Sequence, residues 1–343
     1  MGNQHASSAP LREALSRRLY RRTAATGKIV LPAVPSMIDE HVQVCGNVFA
    51  DIGRAFNADE LAHLRQLLQR QLTEAFAKSP RSSIIVSYTA PIAAVLNYEI
   101  NIEWWSLEQA YENWVSTRKP PLFGTEPDAR VWELAAEAGD PATHPVLDIG
   151  AGTGRNALAL ARRGHPVDAV ELTPSFAEQI TTEAARDSLA VRVIQGDVFA
   201  STSDLREDYQ LILLSEVVSD FRSLKQVRGV FELAARSLAP GGQLVFNVFL
   251  AKPGYTPDGA ARELGQQCYT SIFTDAELSM AADELPLTLV SDDSVHDYEK
   301  AHLPADSWPP TSWYVEWVSG QDVFDLPREQ CPIELRWRVY RKT

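Results

Sequence analysis

The sequence predicts an α/β fold: an open, mainly parallel sheet with helices on both faces, preceded by a mainly helical N-terminal cap. Three observations predict it. After Pro121, short β-rich runs alternate with helical runs, the pattern of a parallel sheet covered on both sides. A glycine cluster, Gly150-Ala151-Gly152-Thr153-Gly154, stands directly behind the apolar run VLDI, as at a strand-to-helix turn. Before Pro121 the apolar residues instead recur at helical spacing. With 343 residues the chain exceeds most single cores. The expected division is a flexible basic tail over 1–35, a helical cap region over 36–121 and an α/β domain over 122–343. That domain carries a Trp/Pro-rich insertion at about 296–333.

The elements follow in order. LREALSRRLYRRTAATGK is arginine-rich with Glu13 as its only acid, and Pro32 and Pro35 close this tail. The opening Met-Gly resembles an acylation start, but Ala6 stands where Ser or Thr is needed. Asn57 can cap a helix with Glu60 three residues on, and Leu61, Leu64, Leu68, Leu72 and Phe76 form its stripe. SIIVSYTAPIAAVLNYEINIEWW is apolar and aromatic, and its pattern does not choose between strand and helix. A helix from about Ser106 carries Leu107, Tyr111, Trp114 and Val115, and LysProPro at 119–121 breaks it. Thr125 is the expected cap of the helix containing VWELAA, with Gly139 after its end. Strand HPVLDIG, helix GRNALALARRG, strand PVDAVEL, helix SFAEQITTEAARDSL, strands VRVIQGD and YQLILLSEV, helix LKQVRGVFELAARS and strand QLVFNVFL then alternate. LTLVSDD and IELRWRVYRK are two further strands.

Charge narrows the function. The chain's net charge is −13, and residues 126–343 hold 34 Asp/Glu against 19 Lys/Arg. Phosphate-backbone binding needs a concentrated basic face, so no nucleic-acid partner is expected. Cys45, Cys268 and Cys331 form no C-x-x-C pair and are odd in number, so a reducing, cytoplasmic setting is expected and no metal site is indicated. No run approaches a membrane span, and a monomer or homodimer is expected.

The glycine turn lies where ligands bind in such sheets, beyond the carboxyl ends of the strands. It lacks the lysine of a phosphate-binding P-loop. It reads G-x-G-x-G rather than the dinucleotide G-x-G-x-x-G, and Asn156 does not restore that pattern. Asp148 stands just before it, where an anion repels a pyrophosphate and attracts an ammonium. Glu171 ends the second strand, 21 residues after Gly150, where a carboxylate accepts from ribose hydroxyls. Asp197 ends the third, where it can take an adenine amino group while Val198 offers its backbone N–H. Ammonium, carboxylate, ribose and adenine together describe S-adenosylmethionine.

Residues 144–249 resemble the class I S-adenosylmethionine-dependent methyltransferases. VLDIGAGTGRNALALARRG resembles their first motif in its small-molecule and tellurite-resistance-like variety. VELTPS, QGDVF, LILLSEV and LAPGGQLVFN resemble the later elements in the right order. The resemblance implies a Rossmann-like sheet of seven strands with an antiparallel final pair. It implies that Asp148, Gly150, Gly152, Gly154 and Asn156 border the methionine part, Glu171 and Leu172 the ribose, and Asp197 and Val198 the adenine. Ser215 and Glu216 then line the site after the fourth strand, and Phe123-Gly124 folds over the cofactor.

The acceptor side is thinner. LeuSerGluValValSerAsp replaces the Asn/Asp-Pro-Pro-Tyr that the family uses on adenine-N6, cytosine-N4 and glutamine-amide acceptors. That absence weighs against those acceptors, and a small molecule methylated on O, N or S by in-line displacement is expected. Asp220, Tyr255 and His296 are the candidate bases. Trp308, Trp313 and Tyr314 are candidate substrate contacts, or else, with Trp104, Trp105, Tyr111 and Trp114, a hydrophobic joint between cap and domain. A catalytically silent cofactor-binding regulator and a nicotinamide-dependent oxidoreductase are the competing readings.

Overall fold

A computed structural model describes residues 8–20 and 22–343. The acylation-start residues at 2–6 lie outside them. Contacts divide the chain into two units, one ending at Leu107 and one beginning at Glu108, rather than at 121/122.

In the first unit, a helix spans Ala9–Tyr20, and β1 (Ala25–Pro32), β2 (Ser83–Ala90) and β3 (Asn97–Glu103) form an antiparallel sheet in the order β1-β2-β3. Helices Ile38–Asp51 and Ala58–Lys78 supply its core. The second carries the expected capping box. Asn57 Oδ1 accepts from the Glu60 N–H at 2.9 Å, Glu60 Oε2 accepts from the Asn57 N–H at 2.8 Å, and Leu64, Leu68 and Leu72 are buried. Two expectations are corrected. Residues 25–32 are not tail but a strand, and 83–103 within the helical cap region is a hairpin. ATGKIVLP carries only the short apolar run Ile29-Val30-Leu31 and pairs with β2 along all eight residues. In the hairpin, Ile84 and Val86 alternate inward with period two, a pattern masked in sequence by the outward Ile85 and by Pro91.

The second unit is the α/β fold. Its strands are β4 (Val146–Ile149), β5 (Val167–Glu171), β6 (Val191–Gln195), β7 (Tyr209–Leu214), β8 (Leu238–Ala251), the short β9 (Ile272–Phe273), β10 (Leu287–Ser294) and β11 (Ile333–Lys342). The sheet order is β10-β11-β8-β7-β4-β5-β6, with β9 on β8. Strands β4 to β8 run parallel, and β11 lies antiparallel between β8 and β10. That is the expected seven-stranded path with an antiparallel final pair, plus one short strand. The order reverses at β4, so the crevice for a ligand opens beside its carboxyl end. β4 and β5 are buried at every residue, as a sheet with helices on both faces requires. Two apolar clusters cover those faces, one around Leu160, Phe249 and Trp337 and the other around Phe231, Phe246 and Tyr340.

Two local expectations change here. The helix after Thr125 begins at Ala129, with Asp128 at its N-cap. The Trp/Pro-rich segment contains helices Val295–His302, Tyr314–Val318 and Gln321–Phe324. Tyr314, Trp317 and Val318 lie in the sheet's own core. Among the described residues no helix is long and apolar enough to cross a membrane.

Candidate functional site

The glycine turn is left-handed at all three glycines, with φ of +70° at Gly150, +57° at Gly152 and +83° at Gly154. Only glycine adopts this without strain. A Cβ on Gly150 would also strike Val217 Cγ2, so this glycine lets the loop after β7 approach the turn. At Gly152 a Cβ would sit 3.7 Å from the Phe123 ring, so this ring lies beside the turn. Helix Arg155–Arg162 starts directly behind.

Adjacent strand ends then bring the acids to the turn. Asp148 is 2% exposed, and its Oδ2 has no hydrogen-bond partner. Burial pushes its carboxyl up to about 8, with Asp128 and Glu171 adding and Arg155 opposing. Glu171, at the end of β5, accepts from the Gly152 N–H on Oε2 and from the Thr173 N–H on Oε1, both at 2.7 Å. Burial raises its pKa while these N–H groups hold it down. Its neighbour Leu172 is exposed. After β6, Asp197 is exposed, its Oδ1 accepts from the Phe199 N–H at 3.0 Å, and Val198 is buried.

Ser215 and Glu216 follow β7, and Asn247 stands at the same level on β8. The Glu216 N–H donates to Asn247 Oδ1 at 2.7 Å. Ser215 Oγ and Asn247 Nδ2 are buried without partners. Unmade buried polar groups are costly in a folded protein, at roughly 1–3 kcal/mol each. Here three of them, Asp148 Oδ2 on β4, Ser215 Oγ just after β7 and Asn247 Nδ2 on β8, lie at one end of the sheet.

A cluster that the sequence reading missed supports this end. Arg155 forks onto Asp128 at 2.5 and 3.2 Å and reaches Glu216 Oε1 at 3.2 Å. Asn156, which the resemblance sets beside the methionine part, binds Asp128 twice, through Nδ2 at 2.8 Å and through Oδ1 at 2.9 Å. Asp128 occupies the N-cap of helix Ala129–Ala136 without capping it. Glu299, 1% exposed, does so from far along the chain, accepting from the Ala129 and Arg130 N–H groups at 2.7 and 3.2 Å and from Trp337 Nε1 at 2.9 Å. Burial pushes the Glu216 carboxyl up to about 7, Arg155 opposing and Asp128 adding. The sequence reading named Asn156 and Glu216 but not Arg155, and the roles of Arg155, Asp128, Asn247 and Glu299 depend on contacts that spacing does not show.

The other candidates separate. Asp220 lies on the loop after β7, and the Tyr111 hydroxyl donates to it at 2.7 Å. Tyr111, Trp114, Phe123, Phe176 and Tyr269 form one aromatic group beside it. The nearby Glu112 accepts from the Ser175 N–H at 3.0 Å. His296 pairs with Asp297 at 2.8 Å and meets the Trp308 ring edge-on, while Tyr255 stacks edge-on with Phe324. Trp308 and Trp313 pack against the core. Tyr314 is buried beside Glu299, Asp128, Glu216 and Arg155. Among the described residues no group of three or more metal-ligating side chains occurs.

Comparison with known proteins follows this geometry. Residues 146–242 match the methyltransferase domain family. A demethylmenaquinone methyltransferase of Tropheryma whipplei is 32% identical over 118 residues, 33% of this chain and 46% of that protein. A ribosomal RNA small subunit methyltransferase C of Salmonella arizonae is 35% identical over 114 residues, 32% of each chain. The chain thus spans about a third to a half of the curated relatives it matches. Geranyl diphosphate C-methyltransferase from Streptomyces coelicolor, solved with Mg2+, geranyl diphosphate and S-adenosyl-L-homocysteine, superposes with a TM-score of 0.50 at 15% identity. The match covers 63% of this chain and 80% of that one. The second unit therefore has the class I methyltransferase fold.

Proposed function

We propose that the protein is an S-adenosylmethionine-dependent methyltransferase with a small-molecule acceptor. The observation that carries this reading is the buried, unpartnered Asp148 Oδ2 directly behind a turn of three left-handed glycines. A cationic ligand group satisfies that carboxylate, and bare glycines admit its backbone-close approach. Asp148 and the turn would hold the methionine part, Glu171 the ribose, and Asp197 with Val198 the adenine. When bound, S-adenosylmethionine supplies a methyl group already activated on a sulfonium. The chain's own part is to align the acceptor with it and to exclude water. Phe123 over Gly152 and the aromatic group around Tyr111 are suited to that exclusion. The acidic charge of residues 126–343 and the LeuSerGluValValSerAsp sequence favour a small molecule over a nucleic acid.

Calorimetry tests the reading. S-adenosylhomocysteine is expected to bind and NAD not to. Asp148→Ala is expected to weaken S-adenosylmethionine by about 30-fold, equivalent to ~2 kcal/mol for a lost charge-assisted contact. Glu171→Ala is expected to weaken it by about 10-fold. Tight NAD binding without S-adenosylhomocysteine binding overturns it. Transfer of labelled methyl to a cell extract separates an enzyme from a silent binder.

A further inference from the structure

On the methyltransferase reading above, we propose that Glu216 is the general base that takes the proton from the methyl acceptor. The acceptor is then a molecule whose nucleophile must lose a proton, a hydroxyl or an ammonium, rather than a preformed thiolate.

The geometry begins with the backbone. Glu216 has φ +62°, in the left-handed region that a residue with a side chain occupies only when its surroundings hold it there. Two contacts do so. Its N–H is fixed to Asn247 Oδ1 on β8, and its Oε1 to Arg155 on the helix behind the glycine turn. Arg155 is itself clamped by Asp128, which Asn156 holds on two atoms. The Arg155 pair engages Oε1 and not Oε2. Val217, the next residue, lies against Gly150, so the carboxylate belongs to the loop that abuts the turn.

The charged and titratable groups that face Glu216 are Arg155, Asp128 and the buried Tyr314 hydroxyl. Burial raises the carboxyl to about 7, while Arg155 keeps it from rising further. A base of this strength is half-ionised at neutral pH, where general-base catalysis is most effective. The three candidates from sequence have other surroundings. Asp220 already accepts from Tyr111, His296 is paired with Asp297, and burial lifts Tyr255 above its ordinary phenol value.

In the step, the acceptor's X–H proton passes to Glu216 Oε2. The electron pair on X forms the X–CH3 bond, and the carbon–sulfur pair stays on sulfur, which becomes a neutral thioether. The Glu216 carboxyl returns its proton to solvent after product leaves.

The test compares wild type with Glu216→Gln in two measurements. Calorimetry with S-adenosylhomocysteine is expected to give affinities within about twofold, because a base toward the acceptor does not hold the cofactor. Carbon-13 NMR of glutamate-labelled protein, titrated with S-adenosylhomocysteine bound, is expected to show two carboxyls with midpoints near 7, those of Glu216 and the buried Glu299, of which one vanishes in Glu216→Gln. A tenfold or greater loss of affinity in Glu216→Gln overturns the assignment and makes Glu216 a cofactor ligand. A midpoint below about 5 overturns it too, since the carboxylate is then simply paired with Arg155. If the wild type itself fails to bind S-adenosylhomocysteine, it is the methyltransferase reading that falls.

Discussion

Two regions of the second unit are dense in residues that carry chemistry, the glycine turn with its strand ends and the tryptophan-rich segment at 296–333. They differ in what their polar atoms do. In the tryptophan-rich segment Trp317 Nε1 donates to the Tyr269 carbonyl at 3.1 Å, Ser319 Oγ bonds to the Val315 carbonyl, and His296 has Asp297, with Thr311 Oγ1 the exception. Near the turn, Asp148 Oδ2, Ser215 Oγ and Asn247 Nδ2, on or just after three neighbouring strands, lack partners. The proposed site is therefore chosen by its unmade hydrogen bonds rather than by aromatic content, since a fold tolerates such groups mainly where a ligand completes them.

The largest expected effect tests the structural half of this contrast. Trp317 is 6% exposed and meets the Phe249 and Trp313 rings at 5.2 and 5.6 Å. Trp317→Ala is expected to lower stability by about 3–5 kcal/mol, measured by urea unfolding. Loss of less than about 1 kcal/mol would show that the segment is not core.

A pH series tests the other half. Asp148 has a folded pKa of about 8, raised above the ordinary value of 3.8. A raised folded pKa gives a contribution that is whole below the unfolded pKa and is lost as pH rises through the folded one. Without ligand, stability is therefore expected to fall by about 1.4 kcal/mol per pH unit between those values, ~2–3 kcal/mol from pH 6 to 8. Asp148→Asn is expected to reduce the slope by that amount in a pH series of thermal melts, leaving the part contributed by Glu216 and Glu299. An unchanged slope would remove Asp148 from the set of buried acids.

The smallest effect concerns the rim. Asp197 is exposed and already accepts from the Phe199 N–H. Asp197→Ala is expected to weaken S-adenosylhomocysteine by about fivefold, ~1 kcal/mol, with S-adenosylmethionine changed alike. Calorimetry checks it, and a loss as large as that of Asp148→Ala would mean that burial does not rank these carboxylates.

The sequence by itself determined whatever depends on neighbours in the chain. Alternating short runs specify parallel strands and helices, the Asn57–Glu60 spacing specifies a capping box, and glycines at 150, 152 and 154 specify a left-handed turn. Asp148, Glu171 and Asp197 could be picked out as candidates because each lies at or beside the end of a strand, and strand ends in a parallel sheet share one edge. Tertiary structure alone decided what depends on partners distant in sequence. β1 is a strand only because β2 pairs with it, and 83–103 is a hairpin because one face meets the helices. The Arg155 cluster draws on Asp128, Glu216 and Asn247, and Glu299 caps a helix whose first residue is Ala129. A buried charge must find its counter-charge and hydrogen bonds somewhere, but the chain distance to them is free, so no local pattern records them.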